Sequence, residues 1–461
     1  MKLEVRVIRR VLTVLAIDRS IAWGLIGKSW SSIANLITIA LIATKLGGAE
    51  QGIYYTVQNA ASLSTFVEFG FLLTLMQCVS HEVATIKLDL RGIIEGPKAR
   101  VSGLRQLFRT TLVWRGASGV FYLAICYIWC VAFLPNLKII RANHALEPLI
   151  AYIIVNALGL AVASPLLSFF EGCNFVATVG KIRVLSLLCA SAGTWLFLYL
   201  DLKIWSLVAF ALVGVITQVI FMLFHFRKLL LLLLKKPEIK GNIWRSEMLP
   251  LQVKFIINSL CNYFIFSLYV PLTLRYCGPL AAGQVGMTQS LLSAMQNVAG
   301  LWIITKFPAY GGYVARGEIM TLNESFRKST RMALFAIVGM GLVFILGLLS
   351  VAYSHSALVS RFVDIKCAML FVGGSVLAVY SQCLGYYIIA FKVNPLAPVA
   401  VLAALVNVAL AYVLIPRVGY YGCAEAFIIV NGVVTVPYMQ VIYLRRRREM
   451  KNTVQVFEPA Y

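Results

Sequence analysis

The chain has 461 residues, of which 60% are hydrophobic and only 13% are charged, and its mean hydropathy is +0.85. Soluble domains carry about 25% charged residues, so this composition excludes a soluble globular protein and indicates a membrane protein with many spans. The 41 Lys and Arg exceed the 18 Asp and Glu, an excess that is typical of cytoplasmic loops and does not require a nucleic-acid partner.

The apolar runs predict an all-α polytopic membrane protein with twelve transmembrane helices. The first six predicted spans are Ile21–Gly47, Ile53–Val79, Phe108–Leu134, Leu149–Phe170, Val184–Leu200 and Ile204–Phe226. The second six are Leu249–Leu274, Gly283–Thr305, Met332–Tyr353, Cys367–Ala390, Leu396–Ile415 and Tyr421–Leu444. The predicted organisation is an N-terminal lobe (1–226), a basic cytoplasmic connection (227–248), a C-terminal lobe (249–444) and a basic cytoplasmic tail (445–461).

The positive charges predict the orientation. With both termini in the cytoplasm, the segments assigned to the inside hold most of the 41 Lys and Arg. The loops are too short to hold a soluble domain. The ten cysteines form no CxxC pair and no Walker A loop is present, so we expect no metal site, no ATP use and no cofactor.

The second span carries the most unusual polar residue. Gly47 to Gly52 predict a turn, which a continuous helix from Ile53 to Val79 follows, with Glu68 near its middle. A carboxylate at that depth is expensive and is a functional hypothesis by default. Three roles stay open for Glu68: a counter-ion to a nearby cation, a protonatable coupling group, or a packing residue kept neutral.

A weak internal repeat relates the two halves. The segment from Gly52 to Gln58 at the start of the second span parallels the segment from Gly283 to Gln289 at the start of the eighth, and both segments run from Gly to Gln. Lys28 in the first span parallels Lys254 in the seventh. Two six-helix halves with the substrate path at their interface are a common transporter plan.

Polar residues recur on one face of the first, second and seventh spans. In the first span this face carries Lys28, Ser31, Ser32, Asn35 and Thr38. Either water or substrate in an interior cavity satisfies these groups, or they form hydrogen bonds between packed helices. The residues predicted to line the cavity are Ser31, Asn35, Gln58, Thr65, Asn258, Asn262 and Gln289.

Three cations, Lys28, Arg115 and Lys254, lie within spans at a similar depth, roughly 8 to 10 Å inside the inner hydrocarbon boundary. They either reach back to the headgroups or together form an anion site suited to a pyrophosphate.

Several amides in the later spans are also candidates. These amides either bind sugar hydroxyls of the cargo or form hydrogen bonds in helix packing, and the sequence favours neither role over the other. They are Gln289, Gln296, Asn297, Gln382 and Asn407.

Several segments carry a family likeness. The run from Leu46 to Tyr54, followed by Glu68-Phe69-Gly70, resembles the first loop and second span of bacterial polysaccharide exporters. The likeness returns at Gly172, at Phe307-Pro308, at Ile415 to Gly419 and at Gly422. The chain resembles the Wzx-type O-antigen or exopolysaccharide repeat-unit flippases of the multidrug/oligosaccharidyl-lipid/polysaccharide (MOP) exporter superfamily.

The resemblance implies a non-enzymatic inner-membrane protein of bacteria, with two six-helix lobes around a central cationic cavity and both termini in the cytoplasm. Its cargo would be an undecaprenyl-pyrophosphate-linked glycan, moved from the inner to the outer leaflet by alternating access with ion coupling. A polysaccharide polymerase and a chain-length regulator would be further partners. Lys28, Arg115 and Lys254 would then meet the pyrophosphate or an acidic sugar.

Three alternatives remain: a drug or metabolite cation antiporter of the same superfamily, a membrane-embedded polysaccharide polymerase or ligase, and an uncoupled lipid scramblase. The cationic residues within the spans weigh against the antiporter, and the lack of a large outer loop weighs against the enzyme.

Overall fold

A computed structural model describes residues 19–68, 71–83, 86–89, 94–133, 146–236, 261, 263–265, 267–315, 317–353, 359–391 and 396–456. Almost all of these residues are helical. The exception to the predicted all-α class is a short antiparallel hairpin between the second and third spans. Its strands β1 (Lys87–Leu88) and β2 (Ile94–Glu95) pair Lys87 with Glu95 and Leu88 with Ile94.

Within the described residues, nine α-helices precede the connection between the halves. They are α1 (Arg19–Lys45), α2 (Gly48–Ala61), α3 (Thr65–Glu68), α4 (Phe71–Val83), α5 (Lys98–Phe133), α6 (Leu146–Leu158), α7 (Ser164–Gly172), α8 (Val176–Tyr199) and α9 (Trp205–Leu233). A 3₁₀ turn at Ser62–Ser64 separates α2 from α3, and a π-helical turn at Gly159–Ala163 joins α6 to α7.

The described part of the second half contributes seven more α-helices. They are α10 (Tyr269–Ile304), α11 (Phe307–Ala315), α12 (Ile319–Tyr353), α13 (Ile365–Ala390), α14 (Leu396–Val418), α15 (Tyr421–Ile429) and α16 (Val436–Val456). A 3₁₀ turn at Val359–Arg361 precedes α13, and a π-helical turn at Val430–Thr435 joins α15 to α16.

Within the described part of the chain, ten helices are long and apolar enough to cross a membrane. This confirms a multi-pass membrane protein. Nine of the ten candidates each match one predicted span, and the tenth, Tyr263–Ile304, covers parts of the predicted seventh and eighth. Most of the seventh span lies outside the described residues, so the count of twelve and the cytoplasmic termini remain predictions.

The second span differs from its prediction at its start and near its middle. Gly48 to Gly52 form the first turns of α2 and are not a turn before the helix. The Glu50 carboxylate accepts a hydrogen bond from the Gly47 backbone N–H at 2.8 Å, which caps this helix start. The predicted continuous helix is also interrupted by the 3₁₀ turn at Ser62–Ser64.

The eighth span begins where the chain bends at Gly278. This residue has φ +86°, a value that an L-residue with a side chain rarely adopts, and Pro279 follows it. The two residues divide Tyr269–Ile304 into a short and a long helical arm. The predicted gap between the seventh and eighth spans therefore shrinks to a single non-helical residue.

The chain forms two compact units, each with its own apolar core. The first takes in the described parts of Met1–Leu41 and Ala60–Ser259, and the second those of Ile42–Asn59 and Leu260–Tyr461. In the first unit the Phe170 and Phe226 rings stack with their centroids 4.0 Å apart. The predicted lobe boundaries stay predictions, and the short segment Ile42–Asn59 from the first half of the sequence belongs to the second unit.

Candidate functional site

Arg115 is the most deeply buried cation that the structure describes. It lies in α5 of the first unit with no exposed side-chain surface. Its Nε–H donates to the Leu160 carbonyl at 3.1 Å, inside the π-helical turn that interrupts the regular helical ladder. Among the described residues, its two terminal nitrogens find no hydrogen-bond partner. The guanidinium is therefore fixed at one end and retains donors at the other.

Glu68 is the acid that faces this guanidinium. Its carboxylate Oε1 lies 4.0 Å from Arg115 Nη2, and 32% of its side chain is exposed. The guanidinium carbon also lies 5.3 Å from the centre of the Phe71 ring, within the range of a cation–π contact. Glu68 is the last residue of α3 and Phe71 the first of α4, so Arg115 contacts both of these helices. This geometry matches the counter-ion alternative for Glu68.

The polar face predicted on α1 divides into two parts. Thr38 accepts a hydrogen bond from the Trp195 indole of α8 at 3.0 Å, and the buried Ser32 hydroxyl donates to the Lys28 carbonyl. These two groups follow the alternative of hydrogen bonds within and between packed helices. The Lys28 and Ser31 side chains are exposed, and Asn35 is half-buried.

A second polar region lies in the second unit. The residues Gln289, Ser293 and Gln296 recur along one face of α10, and they line a cavity of about 50 Å³. Ser375 of α13 completes its polar lining, and its apolar wall consists of Leu292, Tyr269, Phe371 and Phe427.

Hydrogen bonds fix most of the polar lining. The Gln296 amide donates to the Ser375 hydroxyl at 3.0 Å, and Ser375 is fully buried. The Tyr269 hydroxyl donates to the Asn407 side-chain oxygen, while the Asn407 amide donates to the Phe264 carbonyl at 2.7 Å. Asn407 therefore follows the packing alternative and orients Tyr269.

The two repeated segments meet each other in the second unit. A Cβ added to Gly283 would lie 2.8 Å from the Gly52 nitrogen, and one added to Gly52 would lie 1.7 Å from the Pro279 carbonyl oxygen. The adjacent Gln51 amide donates to the Gly283 and Arg361 carbonyls at 2.8 and 2.9 Å. The glycines of the repeat thus permit two helix backbones to touch.

The predicted site residues are distributed over both units. In the first unit, the structure brings Arg115 and Glu68 together. In the second unit, Gln289 lines the cavity and Gln58 is exposed on α2. Thr65 lies in α3, while Lys254, Asn258 and Asn262 lie outside the described residues. The grouping of the three cations into one anion site therefore remains a prediction.

Sequence reasoning missed the aromatic and hydroxyl wall of the cavity. Ser375, Phe371 and Phe427 are in apolar spans, where single residues of these types are common and carry no recognisable pattern. The usable signal was the spacing of Gln289, Ser293 and Gln296, which places three polar groups on one helical face.

No protein-family model matches the chain, and no curated protein matches it. Solved structures, in contrast, do match the chain. The lipid II flippase MurJ in an inward closed conformation aligns with a TM-score of 0.55 at 12% identity, covering 96% of this chain and 94% of that one. A MOP superfamily transporter from Pyrococcus furiosus, described as having a binding pocket of reverse polarity that suggests a different function, aligns with a TM-score of 0.53 at 14% identity, covering 95% and 98%. The chain therefore has the fold of MOP superfamily transporters.

Proposed function

We propose that this protein is a flippase that moves an undecaprenyl-pyrophosphate-linked oligosaccharide from the inner to the outer leaflet of the bacterial inner membrane by ion-coupled alternating access. The oligosaccharide is a repeat unit of O-antigen or exopolysaccharide. The proposal combines the resemblance of the segment from Leu46 to Tyr54 with a fold that the lipid II flippase MurJ shares.

One observation carries the proposal: the sign of the charges inside the spans of the first unit. Lys28 is exposed on α1 and Arg115 has no exposed surface on α5, while Glu68 is the acid that faces Arg115. A path for organic cations needs acidic groups, whereas a pyrophosphate needs cationic donors. The exposed ammonium of Lys28 is available to a phosphate.

The charge pattern also argues against the antiporter alternative. A drug or metabolite cation antiporter would place a cationic cargo beside the exposed ammonium of Lys28, which costs binding energy through like-charge repulsion. The polymerase or ligase alternative finds no support in the fold, because the two solved structures described above are a flippase and a transporter.

A charge-reversal experiment in cells tests the proposal. We expect Lys28→Glu to lower surface polysaccharide at least tenfold and to leave lipid-linked repeat units on the inner leaflet, because a carboxylate repels the pyrophosphate. The measurement is polysaccharide per cell at equal protein abundance in a strain that depends on this chain. Lys236→Glu is the matched control, since Lys236 is an exposed Lys beyond the end of α9. Normal polysaccharide in the Lys28→Glu strain would contradict the proposed anion contact.

Ion coupling needs a separate experiment. In the proposed mechanism Glu68 either balances Arg115 or carries the coupling proton. Transport by Glu68→Gln protein in liposomes distinguishes the two roles when it is measured with and without a proton or sodium gradient. A counter-ion role predicts that transport still responds to the gradient, whereas a coupling role predicts that the response disappears.

A further inference from the structure

The cavity of the second unit has a chemistry different from that of the cations in the first. Its polar lining consists of amides and hydroxyls from Gln289, Ser293, Gln296 and Ser375, and all eight lining residues are uncharged. A neutral lining offers no stabilisation to a pyrophosphate, which needs cationic donors. A ligand group for this cavity is therefore neutral and forms hydrogen bonds.

Two of the polar groups are available to such a ligand. Within the described part of the chain, the side chains of Gln289 and Ser293 have no hydrogen-bond partner, whereas Gln296 and Ser375 bond to each other. Gln289 is half-buried and Ser293 is exposed, so both are reached from outside the helix packing. The pair supplies an amide donor, an amide acceptor and a hydroxyl four residues further along the same face.

The opposite wall is aromatic. The Phe371 and Phe427 ring centroids lie 6.1 Å apart, and Tyr269 meets Phe427 edge-on at 6.5 Å. Such rings present apolar surface next to the polar strip of α10. A pyranose has the matching combination, with apolar C–H faces and hydroxyls at its edge.

Volume limits how much of a sugar enters. The cavity measures about 50 Å³, and a water needs about 10–15 Å³ of such space, so the room is that of roughly three or four waters. A whole hexose does not fit, but a hydroxyl-bearing edge or a hydroxymethyl group does.

We infer that this cavity is a glycan subsite, in which Gln289 and Ser293 bind hydroxyls of one neutral sugar of the cargo and the aromatic wall contacts its C–H face. The inference rests on the proposed function and assigns the sugar to the second unit. Asn407 is a positioning residue for this subsite, because it holds the Tyr269 hydroxyl.

Two soluble probes separate the sugar from the lipid phosphate. We would measure the affinity of the purified full-length protein for farnesyl pyrophosphate and for the same lipid carrying a disaccharide. For the wild type, we expect the sugar to raise the affinity about tenfold. Gln289→Leu should remove most of this tenfold gain in affinity, and Ser293→Ala should reduce the gain about three- to fivefold, because each variant loses one or two hydrogen bonds to the sugar. Both variants should keep the wild-type affinity for farnesyl pyrophosphate.

Asn297→Leu is the matched control, because Asn297 lies on the same helix, is exposed and does not line the cavity. It should retain the sugar advantage. A sugar advantage that persists in both Gln289→Leu and Ser293→Ala overturns the subsite. A wild-type protein that binds the two probes equally also overturns the subsite but leaves the proposed function standing. A wild-type protein that binds neither probe contradicts the proposed function itself.

Discussion

The contact between Arg115 and Glu68 makes a quantitative prediction about stability. At their separation of 4.0 Å, two unit charges interact with about 4 kcal/mol at an effective dielectric constant of about 20. Breaking a fully buried pair by removing one partner costs about 3–5 kcal/mol, because the other charge is left uncompensated. Glu68 is one-third exposed, so we expect Glu68→Gln to cost about 3 kcal/mol, the lower end of that range.

The double variant separates the pair from the individual residues. Arg115→Met removes the buried charge and the bond to the Leu160 carbonyl, and the remaining carboxyl can take up water or a proton because part of it is exposed. Once the guanidinium is absent, Glu68→Gln has little further cost. The coupling free energy, obtained from the free energies of unfolding of both single variants and the double variant, should then be about 2–3 kcal/mol. The assay is denaturation by SDS in mixed micelles.

A second ion pair provides the control. Arg183 and Glu171 lie closer, at 2.9 Å, but 49% of the Arg183 side chain is exposed. If burial determines the coupling, the Arg183→Met and Glu171→Gln cycle should give less than about 1 kcal/mol despite its shorter distance. Additivity of Arg115→Met and Glu68→Gln within about 0.5 kcal/mol would refute the reasoning.

Two further predictions concern packing in the second unit. Gly52→Ala should lower the stability by about 3 kcal/mol or more in the same assay, because its Cβ would meet the Pro279 carbonyl oxygen at 1.7 Å; Gly339→Ala, which has nothing within 4 Å, should be neutral or slightly stabilising. Equal effects of the two glycine variants would exclude the close backbone contact. Asn407→Leu should cost about 1–3 kcal/mol, because it removes the hydrogen bonds that Asn407 makes to the buried Tyr269 hydroxyl and to the Phe264 carbonyl. Adding Tyr269→Phe should recover part of that loss, and no recovery would show that Asn407 does not act through Tyr269.

Most of the spans could be predicted because continuous apolar runs of membrane length have few alternatives. Their ends were less predictable. The span predicted to start at Val184 belongs to a helix that begins at Val176. The predicted start is too late because Lys181 and Arg183 lie in the first turns of this helix, and a prediction from hydropathy alone leaves charged residues out of a span. The ion pair between Arg183 and Glu171 shows how such a charge is accommodated at the end of a span.

The glycines near the second span show a different limit. A cluster of glycines predicts a turn, but Gly48 and Gly52 lie in a helix. Glycine is needed at these two positions because a Cβ would collide with Leu280 and Pro279. Two other glycines of the family resemblance, Gly172 and Gly422, also permit close packing. Gly172 lies against Met76 and Val79, and Gly422 against Leu414. Sequence pattern alone does not distinguish a glycine needed for a turn from one needed for close packing.

The exposure of the predicted site residues could not be predicted from the sequence. Equal depth in three spans suggested that Lys28 and Arg115 act alike, yet one is exposed and the other has no exposed surface. The helical period also placed Thr38 with Lys28, although Thr38 bonds to Trp195. Which part of a polar face contacts another helix depends on the packing of distant segments, and a single sequence does not contain that information directly.

The most direct test of the proposed flippase activity is the leaflet position of its cargo. The purified protein would be reconstituted into liposomes that carry an undecaprenyl-pyrophosphate-linked oligosaccharide. An impermeant glycosidase added after transport would then measure the fraction of glycan on its side. The proposed function predicts that the wild type transfers most of the glycan within minutes under an ion gradient, that Lys28→Glu transfers at least tenfold more slowly, and that Lys236→Glu behaves as the wild type. A glycan that stays in its original leaflet with the wild-type protein present would contradict the proposed function.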